Sequence, residues 1–273
     1  MNRIKFGIPG IPTTVKKDGY VAGVNEINRL GLEAFEYPFG RFINASKDTA
    51  EEIGQISKGK ISVSVHAPYY INLISPDKEK INLSIDRIIK ASIVGDYSHA
   101  STTVFHSGYY TSLSKSDALK LMISSIKLLQ KKQIESGISS DLRIETSGKP
   151  SQFGTLEEIN EIYMETGLNF CIDFAHLHAY SNGKVNTLEE YISVLEYIKE
   201  IDEQLLANMH IHYSGIEYSD KGEKRHLPLD ESDANHIDLM KALRNMNVGG
   251  VLICESPVLE KDGLILQEEY GRN

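Results

Sequence analysis

The chain has 273 residues, and its 29 Lys and Arg against 38 Asp and Glu give a formal net charge of −9. Hydrophobic residues make up 41 % and charged residues 25 %, which excludes a mainly disordered chain. Its two Cys exclude a disulfide scaffold and a Cys-rich zinc module, and the acidic balance argues against non-specific nucleic-acid binding by overall charge.

Short β-rich runs alternate with helix-like segments along the chain. The predicted strands are, in order, Ile4–Ile8, Ala34–Glu36, Ile61–His66, Thr102–His106, Leu142–Glu145, Leu168–Asp173, Ala207–His212 and Gly250–Glu255. Amphipathic periodicity predicts helices at Lys115–Glu135 and Ser232–Asn247, and a further helical face follows the first strand. We expect a cytoplasmic protein, since there is no leader-like start and no apolar stretch of about 20 residues.

Three segments carry signals for the start of a helix. Ser75 followed by Pro76 suits an N-cap and the first helical position. Thr155 with Glu158, and likewise the segment that begins at Thr187, fit the capping-box pattern.

Strands that alternate with helices predict a parallel sheet built from βαβ units. We therefore predict one (β/α)8 TIM-barrel domain over residues 1–273, a length near the roughly 250 residues typical of that fold. The tail after Glu255 allows only a short final helix. An open doubly wound sheet is the alternative, but no G-x-G-x-x-G motif follows the first strand and no P-loop is present.

Imidazoles and carboxylates mark the ends of most predicted strands. These residues are His66, His106, Glu145, Asp173, His210 and Glu255. Because the carboxyl ends of barrel strands meet at one mouth, the side chains should converge there. Converging carboxylates repel one another without a cation, so the pattern predicts two or more divalent metals. His178 and His212 are read as structural neighbours of these residues, and Cys171 and Cys254 as buried small residues.

Seven stretches, in this order and at these spacings, resemble the endonuclease IV family of apurinic/apyrimidinic endonucleases, within the wider class of xylose-isomerase-like barrels. They are His66–Leu73, Phe105–Gly108, Ile144–Gly148, Cys171–His176, Met209-His210, Arg225-His226 and Cys254-Glu255. The resemblance runs from Ile4 to Glu255, and its most specific pieces are the run that begins at His66 and the Asp173/His176 pair.

The resemblance implies zinc, with two or three ions per chain and Mn²⁺ as an alternative. The implied ligands are His66, His106 and a bridging Glu145 for the first ion; Glu145, Asp173, His210 and Glu255 for the second; and His176 and His226 for the third. Lys224 stands where the family has an Asp that completes the third site. Glu223 or Asp220 could replace that Asp only if the register shifted.

The resemblance also implies hydrolysis of the phosphodiester 5′ to abasic sites in double-stranded DNA, as in base excision repair. Glu145 and Glu255 would be the catalytic residues, and Arg41 and Tyr69 would insert into the duplex. Tyr69 as a core aromatic at a strand edge is the alternative interpretation. We expect a monomer.

Two other functions remain open from the residues alone. One is a sugar isomerase or epimerase of the same barrel class that uses a divalent metal, since that class also presents Glu, Asp and His at strand ends. The other is a non-catalytic relative that binds DNA lesions. Three zinc ions per chain would favour the nuclease, and a single Mn²⁺ or Mg²⁺ would favour the isomerase.

Overall fold

Strands and helices alternate along the chain as the sequence predicts. The computed structural model describes residues 2–272. Its strands are β1 (Ile4–Pro9), β2 (Ala34–Pro38), β3 (Ser62–His66), β4 (Thr102–Phe105), β5 (Asp141–Glu145), β6 (Asn169–Asp173), β7 (Met209–Tyr213), β8 (Gly215–Ser219), β9 (Gly222–Leu227) and β10 (Gly250–Cys254). Its helices are α1 (Gly19–Arg29), α2 (Lys47–Ser57), α3 (Lys78–Tyr97), α4 (Lys115–Glu135), α5 (Leu156–Thr166), α6 (Phe174–Tyr180), α7 (Leu188–Ile201), α8 (His236–Asn245) and α9 (Glu260–Gly271).

Eight of the strands form a closed barrel in the spatial order β1-β10-β7-β6-β5-β4-β3-β2. Neighbours pair in parallel, for example His66 of β3 with Val104 of β4. Every residue of β4 and of β7 is buried, as expected for a parallel sheet that is covered on both faces. The predicted (β/α)8 TIM barrel is therefore confirmed.

A close approach of two backbones explains why β1 contains Gly7. A Cβ atom added at Gly7 would lie 2.0 Å from the carbonyl oxygen of Ala34, the first residue of β2. No side chain fits in that space, so glycine at this position lets the start of β2 pack directly against β1.

Two of the three predicted helix starts are confirmed. Thr155 and Thr187 both form capping boxes, in which the hydroxyl accepts from the backbone of the residue three positions on and the Glu there accepts from the cap. The start at Ser75 is wrong, because α3 begins at Lys78 with Asp77 as its N-cap. The Asp77 carboxylate accepts a hydrogen bond from the backbone amide of Glu79 at 2.9 Å, and its negative charge interacts favourably with the positive end of the helix dipole.

The connection after β7 differs from the sequence-based prediction. The sequence predicts no strand between Ala207–His212 and Gly250–Glu255, whereas the structure has an antiparallel hairpin of β8 and β9 there, which forms its own two-stranded sheet. His226 therefore lies on β9. The final helix, α9, has 12 residues and is as short as the tail after Glu255 requires.

Internal packing divides the described chain into two compact units. The His226 unit consists of residues 2–35, 59–62 and 172–272, and the Tyr69 unit consists of residues 36–58 and 63–171. The single domain over residues 1–273 stays a prediction. Among residues 2–272, no helix has both the length and the apolar character that crossing a bilayer demands.

Candidate metal centre

The Tyr69 unit contains a cluster of two imidazoles on one carboxylate, here called the His66 cluster. His66 ends β3, His106 directly follows β4, and Glu145 ends β5. His66 Nε2 lies 3.0 Å and His106 Nδ1 3.1 Å from the same oxygen, Oε2 of Glu145. Three consecutive strands therefore deliver three of the predicted ligands to one point.

The His66 cluster fits a metal ion in two respects. Two ligand atoms about 2.0 Å from one tetrahedral ion are roughly 3.3 Å apart, close to the separations observed here. In addition, the other ring nitrogen of His66, Nδ1, is 2.9 Å from the carbonyl oxygen of Ala67. Metal-ligating histidines commonly direct their second nitrogen to a carbonyl in this way, which fixes the tautomer and ring orientation.

The His226 unit contains a second cluster, here called the His176 cluster. The ligand atoms of Asp173, His176 and His226 lie within 4.8 Å of one another. Asp173 ends β6 and caps α6, where its Oδ1 accepts from the backbone of His176 at 2.8 Å. His226 directs Nδ1 to the carbonyl oxygen of Glu255 at 3.1 Å. This is again the arrangement of a metal-ligating histidine.

Glu223 joins the His176 cluster through an irregularity in β9. Glu217 of β8 pairs with Arg225, but the next residue, Tyr218, pairs with Glu223, so Lys224 is skipped. Ile216 pairs with His226, and cross-strand partners share a face, so Glu223 and His226 face the same side. This β-bulge is the register shift that Glu223 needs in order to take the place of the family's Asp.

The contacts of the hairpin agree with that register. Oε2 of Glu223 lies 3.5 Å from His176 Nε2. On the opposite face, Lys224 and Arg225 both contact Glu217, at 3.3 and 2.7 Å. Two consecutive residues thus face one way, which an unbulged strand does not allow.

A third set of ligand atoms in the His226 unit includes a residue that the sequence-based prediction passed over. The ligand atoms of Asp173, His212 and Glu255 lie within 4.8 Å of one another, and His212 Nδ1 is 3.6 Å from Glu255 Oε2. Glu255 follows β10 directly, and His212 is buried on β7. His212 is thus a candidate ligand rather than only a structural neighbour of His210.

His210 is buried one pleat earlier on β7 than His212. The two rings are 5.3 Å apart, as expected for residues i and i+2 on one face of a strand. The roles of His210 as a ligand and of Glu145 as a bridging ligand stay predictions. His178, by contrast, hydrogen-bonds Val185 and Asp233, which agrees with a structural role.

Burial explains the chemistry of the cysteines. Cys171 and Cys254 are both buried, as predicted. Burial raises the pKa of the Cys254 thiol to about 12, so the neutral form persists at physiological pH.

The Tyr69 unit also brings together the two residues predicted to insert into DNA. Nε of Arg41, on the loop after β2, donates to the hydroxyl of Tyr69 at 3.3 Å. Tyr69 is 50 % exposed, so the alternative that it is a core aromatic is wrong.

Comparison with known proteins places this geometry in a wider group. Residues 24–270 match the family described as xylose isomerase-like TIM barrel. An uncharacterized protein of Methanocaldococcus jannaschii is 36 % identical, with 99 % of each chain covered. The probable endonuclease 4 of Carboxydothermus hydrogenoformans is 27 % identical over 72 % of this chain and 71 % of its own. That similarity confirms the resemblance to endonuclease IV drawn from the sequence.

Solved structures share the fold at low sequence identity. Endonuclease IV from Thermus thermophilus superposes with a TM-score of 0.71 at 18 % identity, with 98 % of this chain and 97 % of that chain covered. A D-tagatose 3-epimerase-like protein superposes with a TM-score of 0.68 at 17 % identity, with 96 % and 94 % covered. The match over residues 24–270, together with the closed barrel, shows that this chain belongs to the xylose isomerase-like TIM barrel family.

Proposed function

We propose that this protein is a divalent-metal-dependent nuclease that hydrolyses the phosphodiester 5′ to abasic sites in double-stranded DNA. The observation that carries the proposal is that each of the two candidate metal clusters contains two histidines and at least one carboxylate. His66 and His106 meet on Glu145, and His176 and His226 lie with Asp173. Imidazole-rich sites with carboxylates suit Zn²⁺, and Mn²⁺ is an alternative.

The buried carboxylates would hold and neutralise the ions. The side chains of Glu145 and Asp173 are each 1 % exposed, and burying a carboxylate charge costs free energy that a bound cation offsets. When bound, divalent ions would supply charge neutralisation at the phosphate and a lowered pKa for the attacking water. Glu255, with a side chain 16 % exposed, can accept a hydrogen bond from that water and orient it.

Recognition of the lesion would fall to exposed side chains. The Arg41–Tyr69 pair presents a ring and a guanidinium group, which can fill the gap left by a missing base. Lys224 and Arg225 are exposed on the hairpin, and these cations are of the kind that contacts the phosphates of the DNA backbone.

An incision assay tests the proposal directly. The substrate is a duplex with one abasic analogue that resists elimination, incubated with the metal-replete protein with and without chelator. We expect incision on the 5′ side of the analogue that chelator abolishes. Glu145→Gln should abolish incision while circular dichroism stays unchanged, and Lys131→Gln, an exposed change on α4, should have no effect. Absence of incision by the metal-replete parent protein would refute the nuclease proposal.

A sugar epimerase is the second candidate, favoured by the carboxylate–imidazole set of Asp173, His212 and Glu255. Carboxylates and a histidine at strand ends also suit metal-assisted proton transfer next to a carbonyl. Turnover of a ketohexose by the same preparation, with one bound metal ion and no incision, would support this alternative over the nuclease.

A further inference from the structure

A groove next to Tyr69 has no part in the proposed metal chemistry. It has a volume of about 460 Å³ and lies between the loop after β3, helix α3 and the loop after β4. Tyr70, Leu83, Tyr109, Lys80 and Arg87 are among the residues that line it. Ligand sites commonly have volumes of about 300–1,000 Å³, so the groove can hold a group the size of a nucleotide. We call it the tyrosine groove.

The apolar lining of the tyrosine groove is exposed to an unusual degree. Tyr70 is 51 %, Tyr109 44 % and Leu83 48 % exposed. Packing of the barrel does not account for these side chains, and exposed apolar groups gathered in one place mark interaction sites. The rings of Tyr69 and Tyr70 have centroids 4.7 Å apart, so the groove begins beside the ring proposed to enter DNA.

Hydrogen bonds hold the walls of the tyrosine groove in place. The backbone amide of Asn72 donates to the Ser84 hydroxyl at 3.0 Å, and Arg87 Nη1 donates to the Tyr70 carbonyl at 2.9 Å. These two bonds fasten the loop after β3 to α3. Tyr109 forms an antiparallel bridge with Gln152, which fastens the loop after β4.

The two loops also press against each other at Gly108. A Cβ atom there would lie 2.4 Å from Oδ1 of Asn72, and φ is +124°, a conformation that favours glycine. The groove is therefore formed before any ligand binds, which reduces the entropy cost of binding.

The charges of the tyrosine groove indicate its ligand. Lys80 and Arg87 line it, and no carboxylate lies among its described lining residues. Arg87 uses one nitrogen on the Tyr70 carbonyl, and a guanidinium group has five N–H donors, so it keeps others for a phosphate. A flat apolar face with an attached anion is the chemistry that these rings and cations would recognise together.

We propose that the tyrosine groove binds an unpaired nucleotide of a DNA strand. Its base would stack on Tyr70 or Tyr109, and its phosphate would contact Lys80 and Arg87. The inference rests on the proposed DNA substrate, because insertion of Tyr69 would displace a base directly beside the groove. A neutral sugar could also stack on a tyrosine, but it would leave both cations without a counter-charge.

Binding of two single-stranded oligomers of equal length tests the proposal. One carries adenine bases, and the other carries abasic spacers with the same phosphates. Fluorescence anisotropy with the metal-replete full chain should show at least about fivefold tighter binding of the adenine oligomer, the smallest ratio expected from one stacked base. Tyr70→Leu/Tyr109→Leu should remove that ratio while spacer binding stays the same, because the change affects exposed rings and no charge.

Charge variants provide an independent readout. Lys80→Gln should weaken binding of both oligomers and lower the slope of log affinity against log salt by about 0.7, the value for one phosphate contact on a single strand. Ile134→Ala and Lys131→Gln, exposed changes on α4, should leave both affinities unchanged. Equal affinity of the parent protein for the two oligomers, or an unchanged ratio in the double Tyr variant, would overturn the proposal.

The incision assay separates failure of this inference from failure of the proposed function. Incision at the abasic analogue without base-dependent binding would refute the tyrosine groove and support the nuclease. Base-dependent binding without incision would support the groove and refute the nuclease.

Discussion

Replacing Glu223 with Gln should remove a ligand from the His176 cluster while the shape of the hairpin is kept. Glu223 Oε2 lies 3.5 Å from His176 Nε2, close to the roughly 3.3 Å expected for two ligands of one tetrahedral ion. The amide of Gln has nearly the same size, but it carries no charge and ligates zinc poorly. The substitution therefore tests ligation rather than packing.

The expected loss of affinity can be bounded. Losing an outer partner of a metal ligand typically costs about 10–100-fold in affinity, so the loss of a direct ligand should cost at least that much. This range corresponds to about 1.4–2.8 kcal/mol. Because the affected ion is the one at His176 and His226, the metal content of Glu223→Gln should fall by about one equivalent under mild chelation.

Two variants act as controls for the bulge in β9. Glu217→Gln changes a carboxylate on the other face of the hairpin, so its metal content should equal that of the parent protein. Deletion of Lys224 leaves Glu223 two residues before His226, a spacing that puts both on one face of a regular strand. Metal binding should therefore survive the deletion.

Elemental analysis after dialysis against a limiting chelator gives the metal count, and competition with a chromophoric chelator gives the affinity. Equal affinity in Glu223→Gln and in the parent protein would refute Glu223 as a ligand. If deletion of Lys224 also removed the ion at His176 and His226, the bulge would have a role beyond placing Glu223 on the same face as His226.

Three further predictions concern stability. Tyr218→Phe removes a 2.7 Å hydrogen bond to Asp233 that anchors the hairpin, and urea unfolding should show a loss of about 1 kcal/mol; no change would contradict the anchor. Thr155→Ala removes a helix cap and should cost about 1 kcal/mol in the same assay, whereas an effect below a few tenths would contradict the capping box. Because burial raises the pKa of Cys254 from its ordinary value of 9.0 to about 12, its contribution to stability is full below about pH 9 and is lost as pH rises through about 12. Cys254→Ala should remove this alkaline loss, and a native Cys254 thiol that reacts as fast as the unfolded chain would refute its burial.

Much of the architecture was predictable because its signals are local. A capping box depends on two residues three positions apart, and Thr155 with Glu158 forms one as predicted. The ends of strands at His66, Glu145 and Asp173 are also predictable, because each follows a short segment that contains β-branched or apolar residues. In contrast, Ser75 and Asp77 are both good caps by residue type, so residue type alone does not predict that Asp77 is the cap of α3.

The parts of the site that were missed depend on pairing between distant strands. His212 lies opposite Ile253 in the β7–β10 ladder, two residues short of Glu255, and the sequence does not show that register. His210 and His212 are two residues apart and therefore lie on the same face of β7, so the alternation of residues along the strand does not show which of them is the ligand. Glu223 depended on a bulge, and a bulge is set by how β8 and β9 align rather than by the residues of β9 alone.

The separate sheet of β8 and β9 has a consequence for where along the sequence a metal ligand of the hairpin can stand. The hairpin contributes no strand to the barrel ladder, so it can gain or lose a residue while the order of the barrel strands is unchanged. A ligand carried there can move by one position between relatives and still reach its partners. In this chain the acidic residue stands three positions before the histidine, so a search for one at a fixed spacing of two would overlook it.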